Sequence, residues 1–118
     1  RDNLDAISLT EHLEYQPHLE DIPHPDRNRS YNIAMEEAKE HDLLMVHGSE
    51  ITRSAPMGHN NAVFIKDANP ILQDKAEDAF AEAKKQGAFV FWNHPAPVTF
   101  TDSLIGIIQK KEINDPLL

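Results

Sequence analysis

Apolar residues in this chain fall into two patterns that alternate along it: short continuous runs and longer stripes at helical spacing. Leu4, Ala6, Ile7 and Leu9 make a nearly unbroken run, which predicts a strand over residues 5–10 buried on both faces. The run stops at the polar cluster Thr10-Glu11-His12. Residues 13–27, with Pro17, Pro23 and Pro25, read as a loop. Tyr31, Ala34, Met35 and Ala38 then fall at i, i+3, i+4 and i+7, which predicts a helix over about 28–41, capped by Asp26 or Asn28. Leu43-Leu44-Met45-Val46 opens a second strand that runs to about Ile51, and Ala62-Val63-Phe64-Ile65 is a third. Asp74-Lys75-Ala76-Glu77 has the form of a capping box. It predicts a helix to about Gln86, with Ala76, Ala79, Phe80 and Ala83 as its buried stripe and Gly87 at C′. Ala88-Phe89-Val90-Phe91-Trp92 is a fourth strand, and a further helix is expected over about 102–111.

Strands alternating with helices imply an α/β fold with a mostly parallel sheet. The exception is the pair 43–51 and 61–66, whose connection is too short for a helical crossover. The third strand is therefore expected to return antiparallel, or a barrel is distorted there. No repeat, low-complexity tract or linker divides the 118 residues, so residues 1–118 read as one domain. That is well short of the roughly 250 residues of a closed eight-stranded α/β barrel.

Composition adds three constraints. Without cysteine, disulfides, thiolate metal sites and a cysteine nucleophile are excluded, so a metal would need nitrogen and oxygen ligands. Seven histidines make such a site worth seeking. A net charge of −9 argues against nonspecific nucleic-acid binding, and no apolar run has the length of a membrane span. No signal peptide is visible, and the chain opens at Arg1 without a methionine. A cytoplasmic location is the default expectation, with a periplasmic or secreted one left open.

The candidate chemistry sits at strand ends, where active sites of parallel α/β folds form. His12 follows the first strand, Glu50 closes the second and His94 follows the fourth. His59 precedes the third strand, and an antiparallel return brings it to the same edge. Each of these residues also has an ordinary reading as a surface or satisfied core group; their convergence is what argues for a site. His18, His24 and His41 carry no positional signal, His47 lies within a strand and faces either side, and Glu36 to Lys39 reads as a solvated helix face. Imidazole and carboxylate ligands suit zinc, iron and manganese. Two such cations roughly 3.5–4 Å apart activate water and neutralise a phosphoryl group.

At these residues the sequence resembles the PHP (polymerase and histidinol phosphatase) superfamily. The resemblance lies in Leu9-Thr10-Glu11-His12, Gly48-Ser49-Glu50, Gly58-His59-Asn60-Asn61-Ala62 and Asn93-His94-Pro95, and covers about residues 3–95. The stretches Glu11-His12-Leu13-Glu14-Tyr15 and Gly48-Ser49-Glu50-Ile51-Thr52-Arg53-Ser54 are similar to a bacterial branch of metal-dependent phosphoesterases. The resemblance implies a distorted (β/α)7 barrel with up to three divalent metals. Glu50 is then the carboxylate bridging two metals, His59 and His94 complete the second metal, and His12 belongs to the third. Arg53, just beyond Glu50, is the expected phosphate contact from its charge and position. The family's His-x-His and following Asp have no counterpart before residue 5, nor its late Asp-x-His after residue 95. The expected fold is thus a partial barrel truncated at both ends, with only the second metal's ligands complete and residues 96–118 a poorly matched tail. Unpaired sheet edges beside 5–10 and 88–93 favour a homo-oligomer.

These readings predict hydrolysis of a phosphorylated small molecule by metal-activated water, with metal binding surviving better than turnover. An amidohydrolase-type metal hydrolase and a catalytically inert metal-binding or interaction module are the two rivals. Assay of a phosphoester against an amide or lactone separates the first, and metal content without turnover identifies the second.

Overall fold

The computed structural model describes residues 3–15 and 24–95. The expected tail at 96–118 and the helix over 102–111 lie outside the described residues, as does part of the proline-rich loop.

The elements follow the apolar pattern closely. Strand β1 spans Ala6–Leu9, helix α1 Arg29–Lys39, β2 Leu44–Thr52, β3 His59–Val63, α2 Ala76–Lys85 and β4 Phe89–Trp92, with a 3₁₀ turn at Asn69–Ile71 before α2. The third strand begins earlier than its apolar run and stops short of Phe64, whose positive φ of 66° takes it out of the extended region. Neither expected cap forms. Asn28 holds the N-cap position of α1, but its side chain crosses the fold, accepting from the Ala68 amide at 2.8 Å and donating to Asp67 at 2.7 Å. The residue at the N-cap of α2 is Lys75, with no side-chain cap bond, so the capping box is not made. Glu77 and Asp78 in the first turn and Lys84 and Lys85 in the last still complement the helix dipole.

The four strands lie in one sheet in chain order. β1 pairs with β2 in parallel, β3 returns antiparallel to β2, and β4 is antiparallel to β3. A mostly parallel sheet was the expectation, and the pairings correct it to a mixed one. β1, β2 and β4 do share one direction, but the reversed β3 between β2 and β4 turns both of its pairings antiparallel. The reason is the short 53–58 connection, which allows a return but no crossover.

Residues opposite each other across a sheet share a face. One face carries Ile51, Ala62 and Val90, which pack with Leu13, Ile65, Ala68, Ile71, Ala79 and Ala83 into the core under α2. Tyr31 of α1 stacks on His47 of that same face, with ring centroids 3.9 Å apart. Both helices therefore cover one side. The other side carries Leu44, Glu50, Asn61 and Phe91, and its apolar members are bare: Leu44, Phe89 and Phe91 are all exposed. Strands expected to be buried on both faces are thus covered on one among the described residues.

Candidate metal centre

The site forms where β1 runs on past its last paired residue. After Leu9, which stands opposite His47, the chain loosens for two residues. It then pairs again in parallel at His12 and Glu50, in the register β1 had set. The Glu50 amide donates to Glu11 O and the Leu13 amide to Glu50 O, both at 2.9 Å. Leu13, fully buried, anchors this second contact. Gly48 makes the approach possible. A Cβ there would lie 2.5 Å from Ser8 Oγ and 3.0 Å from Leu9 O, so a side chain would require the Ser8 hydroxyl to turn away and the Leu9 carbonyl to give.

Glu50, buried at 7% exposure, is the centre of the cluster. Its Oε1 lies 2.9 Å from His12 Nδ1 and 3.2 Å from His59 Nδ1, and accepts from Thr52 Oγ1 at 2.7 Å. Its Oε2 accepts from Asn93 Nδ2 at 3.0 Å. Burial is the largest influence on this carboxyl and pushes it up. The bonds from Thr52 and Asn93, with His12 and His59 beside it, together outweigh burial and hold it below the ordinary glutamate value. His94 Nε2 lies 3.0 Å from His59 Nδ1, and one ligand atom each from Glu50, His59 and His94 falls within a 4.8 Å sphere of separation. His94 adopts a positive φ of 25°, a sparsely populated conformation of the kind found at functional sites.

The donor set asks for a cation. An ionised carboxylate only accepts, and each neutral imidazole has one proton. The single proton of His59 cannot serve both Glu50 Oε1 and the His94 nitrogen through Nδ1. A divalent cation satisfies all these lone pairs together. The spacing agrees: ligands about 2.0 Å from a metal in a tetrahedron sit about 3.3 Å apart. The two edges that meet at His59, 3.2 Å and 3.0 Å, are close to this, and all three ligand atoms lie within 4.8 Å of one another. Three protein ligands leave a position open, as in catalytic rather than structural sites.

The chain also has a counterpart among solved structures. The chain is 47% identical, with a TM-score of 0.76, to a crystal structure from Bacteroides vulgatus of a two-domain protein containing a predicted PHP-like metal-dependent phosphoesterase. That likeness supports the resemblance to the PHP-like family. The match covers 94% of the chain and 34% of the other, so the chain spans about a third of that protein's length. No family model matches it, and no curated protein does.

All four metal-ligand candidates thus meet in one cluster, His12 through the same carboxylate oxygen that faces His59. Arg53 does not join it as expected. Its Nε donates to Glu14 Oε1 at 2.9 Å, its Nη1 to Asp74 O at 2.8 Å and its Nη2 to Gln73 O at 2.5 Å. The guanidinium is committed to clamping the segment before α2, which corrects its reading as a phosphate contact. The other oxygen of Glu14 accepts from the Thr52 amide at 2.7 Å, so Glu14 and Arg53 together fix the end of β2.

Sequence reasoning missed Thr52 and Asn93 as partners of Glu50. Alternation along β2 places Thr52 on the Glu50 face, a signal that was available. Asn93 also donates to Asn61 Oδ1 at 2.7 Å, and no periodicity announces that contact. His24 is structural: its Nδ1 accepts from the Asp26 amide at 3.0 Å. His47 is buried on the core face, away from the cluster.

Proposed function

We propose that this chain carries the metal-binding core of a phosphoester hydrolase, with Glu50, His59 and His94 as ligands of one divalent ion and His12 as a ligand of a neighbouring one. The observation that carries the reading is the convergence of Glu50, His59 and His94, whose ligand atoms all lie within 4.8 Å of one another, with His12 on the same carboxylate oxygen. The solved relative containing a predicted PHP-like metal-dependent phosphoesterase supports the reaction class. Manganese, zinc and iron suit these ligands, and the full family site takes up to three ions. When bound, such ions supply an activated water and positive charge for the phosphoryl oxygens.

The chain's own residues have distinct tasks. Glu50 presents Oε1 to the ions while Asn93 holds Oε2. Thr52 fixes Oε1 from the side. His12, stacked on Tyr15 at a centroid distance of 4.9 Å, keeps Nε2 turned from the carboxylate and free to bind. The bare face of the sheet, with Leu44, Phe89 and Phe91 exposed on the same side as Glu50, supports a barrel whose interior this face lines. The substrate is then a phosphorylated small molecule entering from the strand ends.

The test is metal content followed by turnover. The chain, loaded with manganese, zinc or iron, is expected to retain about one ion or more per molecule after desalting and to hydrolyse a chromogenic phosphoester in preference to an amide or lactone. A chelator should abolish both. Retained metal with no phosphoester hydrolysis would leave an inert metal-binding module instead, and no retained metal would overturn the reading entirely.

A further inference from the structure

The stretch Gly58-His59-Asn60-Asn61 carries two consecutive asparagines, and β3 sends them to opposite faces of the sheet. Asn60 is buried, and its Nδ2 donates to Met57 O at 3.0 Å and to Gly58 O at 3.3 Å, which closes the turn between β2 and β3. The Asn61 side chain reaches across the sheet instead. It stands directly opposite Glu50 in the β2–β3 pairing, on the Glu50 face. There its Oδ1 accepts from Asn93 Nδ2 at 2.7 Å, and the same nitrogen donates to Glu50 Oε2 at 3.0 Å.

The polarity of these bonds is fixed from one end. An ionised carboxylate only accepts, so Asn93 must turn its nitrogen, not its oxygen, towards Glu50. A carboxamide nitrogen carries two protons. Glu50 takes one, and Asn61 Oδ1 supplies the acceptor for the other. The two asparagines are held differently. Asn93 lies past the end of β4, next to His94 with its positive φ, where no strand pairing fixes its side chain. Only its backbone amide is tied to β3, donating to His59 O at 2.8 Å. Asn61 lies within β3, paired on one side to β2 and on the other to β4. Asn61 is thus the fixed point, and Asn93 is the link between it and Glu50.

We propose that Asn61 is a positioning residue of the metal centre: it anchors Asn93, which holds Glu50 Oε2 and so leaves Oε1 turned to His12 and His59. Removing the Asn61 carboxamide loosens Glu50 although every ligand is still present. The proposal rests on the metal-binding reading of Glu50, His59 and His94, and is independent of the reaction that the metal serves.

The experiment is a double-mutant cycle on metal affinity, read by calorimetric titration of the chelator-treated chain with zinc and, in a separate arm, with manganese. Asn93→Ala should weaken binding by roughly 10–100-fold, the usual effect of losing a group that holds a ligand. Asn61→Val suits a strand but offers no acceptor; it lies one bond further out and should weaken binding about fivefold. In the Asn93→Ala background the same substitution should change affinity by less than about twofold, because its route to Glu50 is already gone. Asn61→Asp, which still accepts from Asn93, should bind no more weakly than the parent. Should Asn61→Val fail to fold, as read by circular dichroism, Asn61→Ser, too short to reach Asn93, takes its place in the cycle. Equal losses in both backgrounds, or full affinity in Asn61→Val, overturn the proposal, the latter even where urea unfolding shows lost stability. Metal bound without phosphoester turnover overturns the reaction class and leaves the positioning role standing, whereas a parent chain that binds neither metal removes both.

Discussion

Glu50 and His47 lie three residues apart on β2, both buried and both ionisable, yet they face opposite sides of the sheet and differ in everything that matters for function. Glu50 has a surplus of partners: two imidazoles, a hydroxyl and an amide converge on its two oxygens. His47 has a stacking partner in Tyr31 and no bond at Nε2. Burial of a titratable group is thus shared by both faces, whereas convergence of further lone pairs belongs to one. A single buried histidine among apolar neighbours is a packing solution that tolerates an unmet nitrogen. A buried carboxylate ringed by histidines at about ligand spacing is a donor set that suits a cation.

The sharpest way to break this contrast is to neutralise each residue without changing its shape. Glu50→Gln should lower affinity for manganese or zinc by more than about 100-fold, since it removes the charge and the only carboxylate of the set. His47→Phe should change it by less than about twofold. Calorimetric titration of both variants checks this, and equal losses would mean that the two faces are not functionally distinct. A smaller effect is expected one step out from the ligands. Thr52→Val removes the hydroxyl that fixes Glu50 Oε1 and reaches His12 Nδ1 at 3.0 Å. Partners of this kind typically contribute 10–100-fold to metal affinity, and about tenfold is expected here. Thr52→Ser should restore most of it. A valine variant with full affinity would show that Glu50 needs no such support.

The same contrast explains what could be read from the chain alone. The apolar runs of β1, β2 and β4 were legible from their continuity, although among the described residues only one face of the sheet is covered, and α1 and α2 were legible because their stripes repeat at helical spacing. The antiparallel return of β3 followed from loop length, and that return is what brought His59 to the edge shared by Glu50. Caps were misread because Asn28 and Asp26 had long-range work to do, with Asp67, Ala68 and Asn69, that local sequence does not encode. Arg53 was misread for a related reason. Its place beside Glu50 in sequence suggested a phosphate contact, but alternation along a strand sends neighbours to opposite sides, and its partners lie some twenty residues away at Gln73 and Asp74.

That misreading carries its own test. As a clamp, Arg53→Ala leaves the Glu14 carboxylate and two carbonyls short of donors. Unfolding free energy should fall by about 1–3 kcal/mol, with metal affinity changed only through the end of β2. As a phosphate contact it would instead raise KM at unchanged stability. Urea unfolding and phosphoester kinetics on the one variant distinguish the two outcomes, and the bonds to Gln73 and Asp74 favour the first.

The smallest predicted effect isolates the core face. Burial is the largest influence on His47 and lowers its pKa from the ordinary 6.5, against an opposing bond to the Lys66 backbone and the charges of Asp67 and Asp26. The folded state therefore favours neutral imidazole, while the unfolded chain takes up a proton near the ordinary value. Stability attributable to His47 is fully present above about pH 6.5 and is lost as pH falls towards the lower folded value, with a slope of at most about 1.4 kcal/mol per pH unit. Replacing it by phenylalanine keeps an aromatic ring against Tyr31 and removes both the titration and the unmet Nε2. Urea unfolding of chelator-treated protein at pH 5, 6 and 7 should then show a shallower dependence in His47→Phe than in the parent. The loss from Glu50, whose carboxyl is also held low, belongs to more acid conditions: it sets in only below the ordinary glutamate value near 4.5. An unchanged slope between pH 7 and 5 would mean that the core face is electrostatically silent.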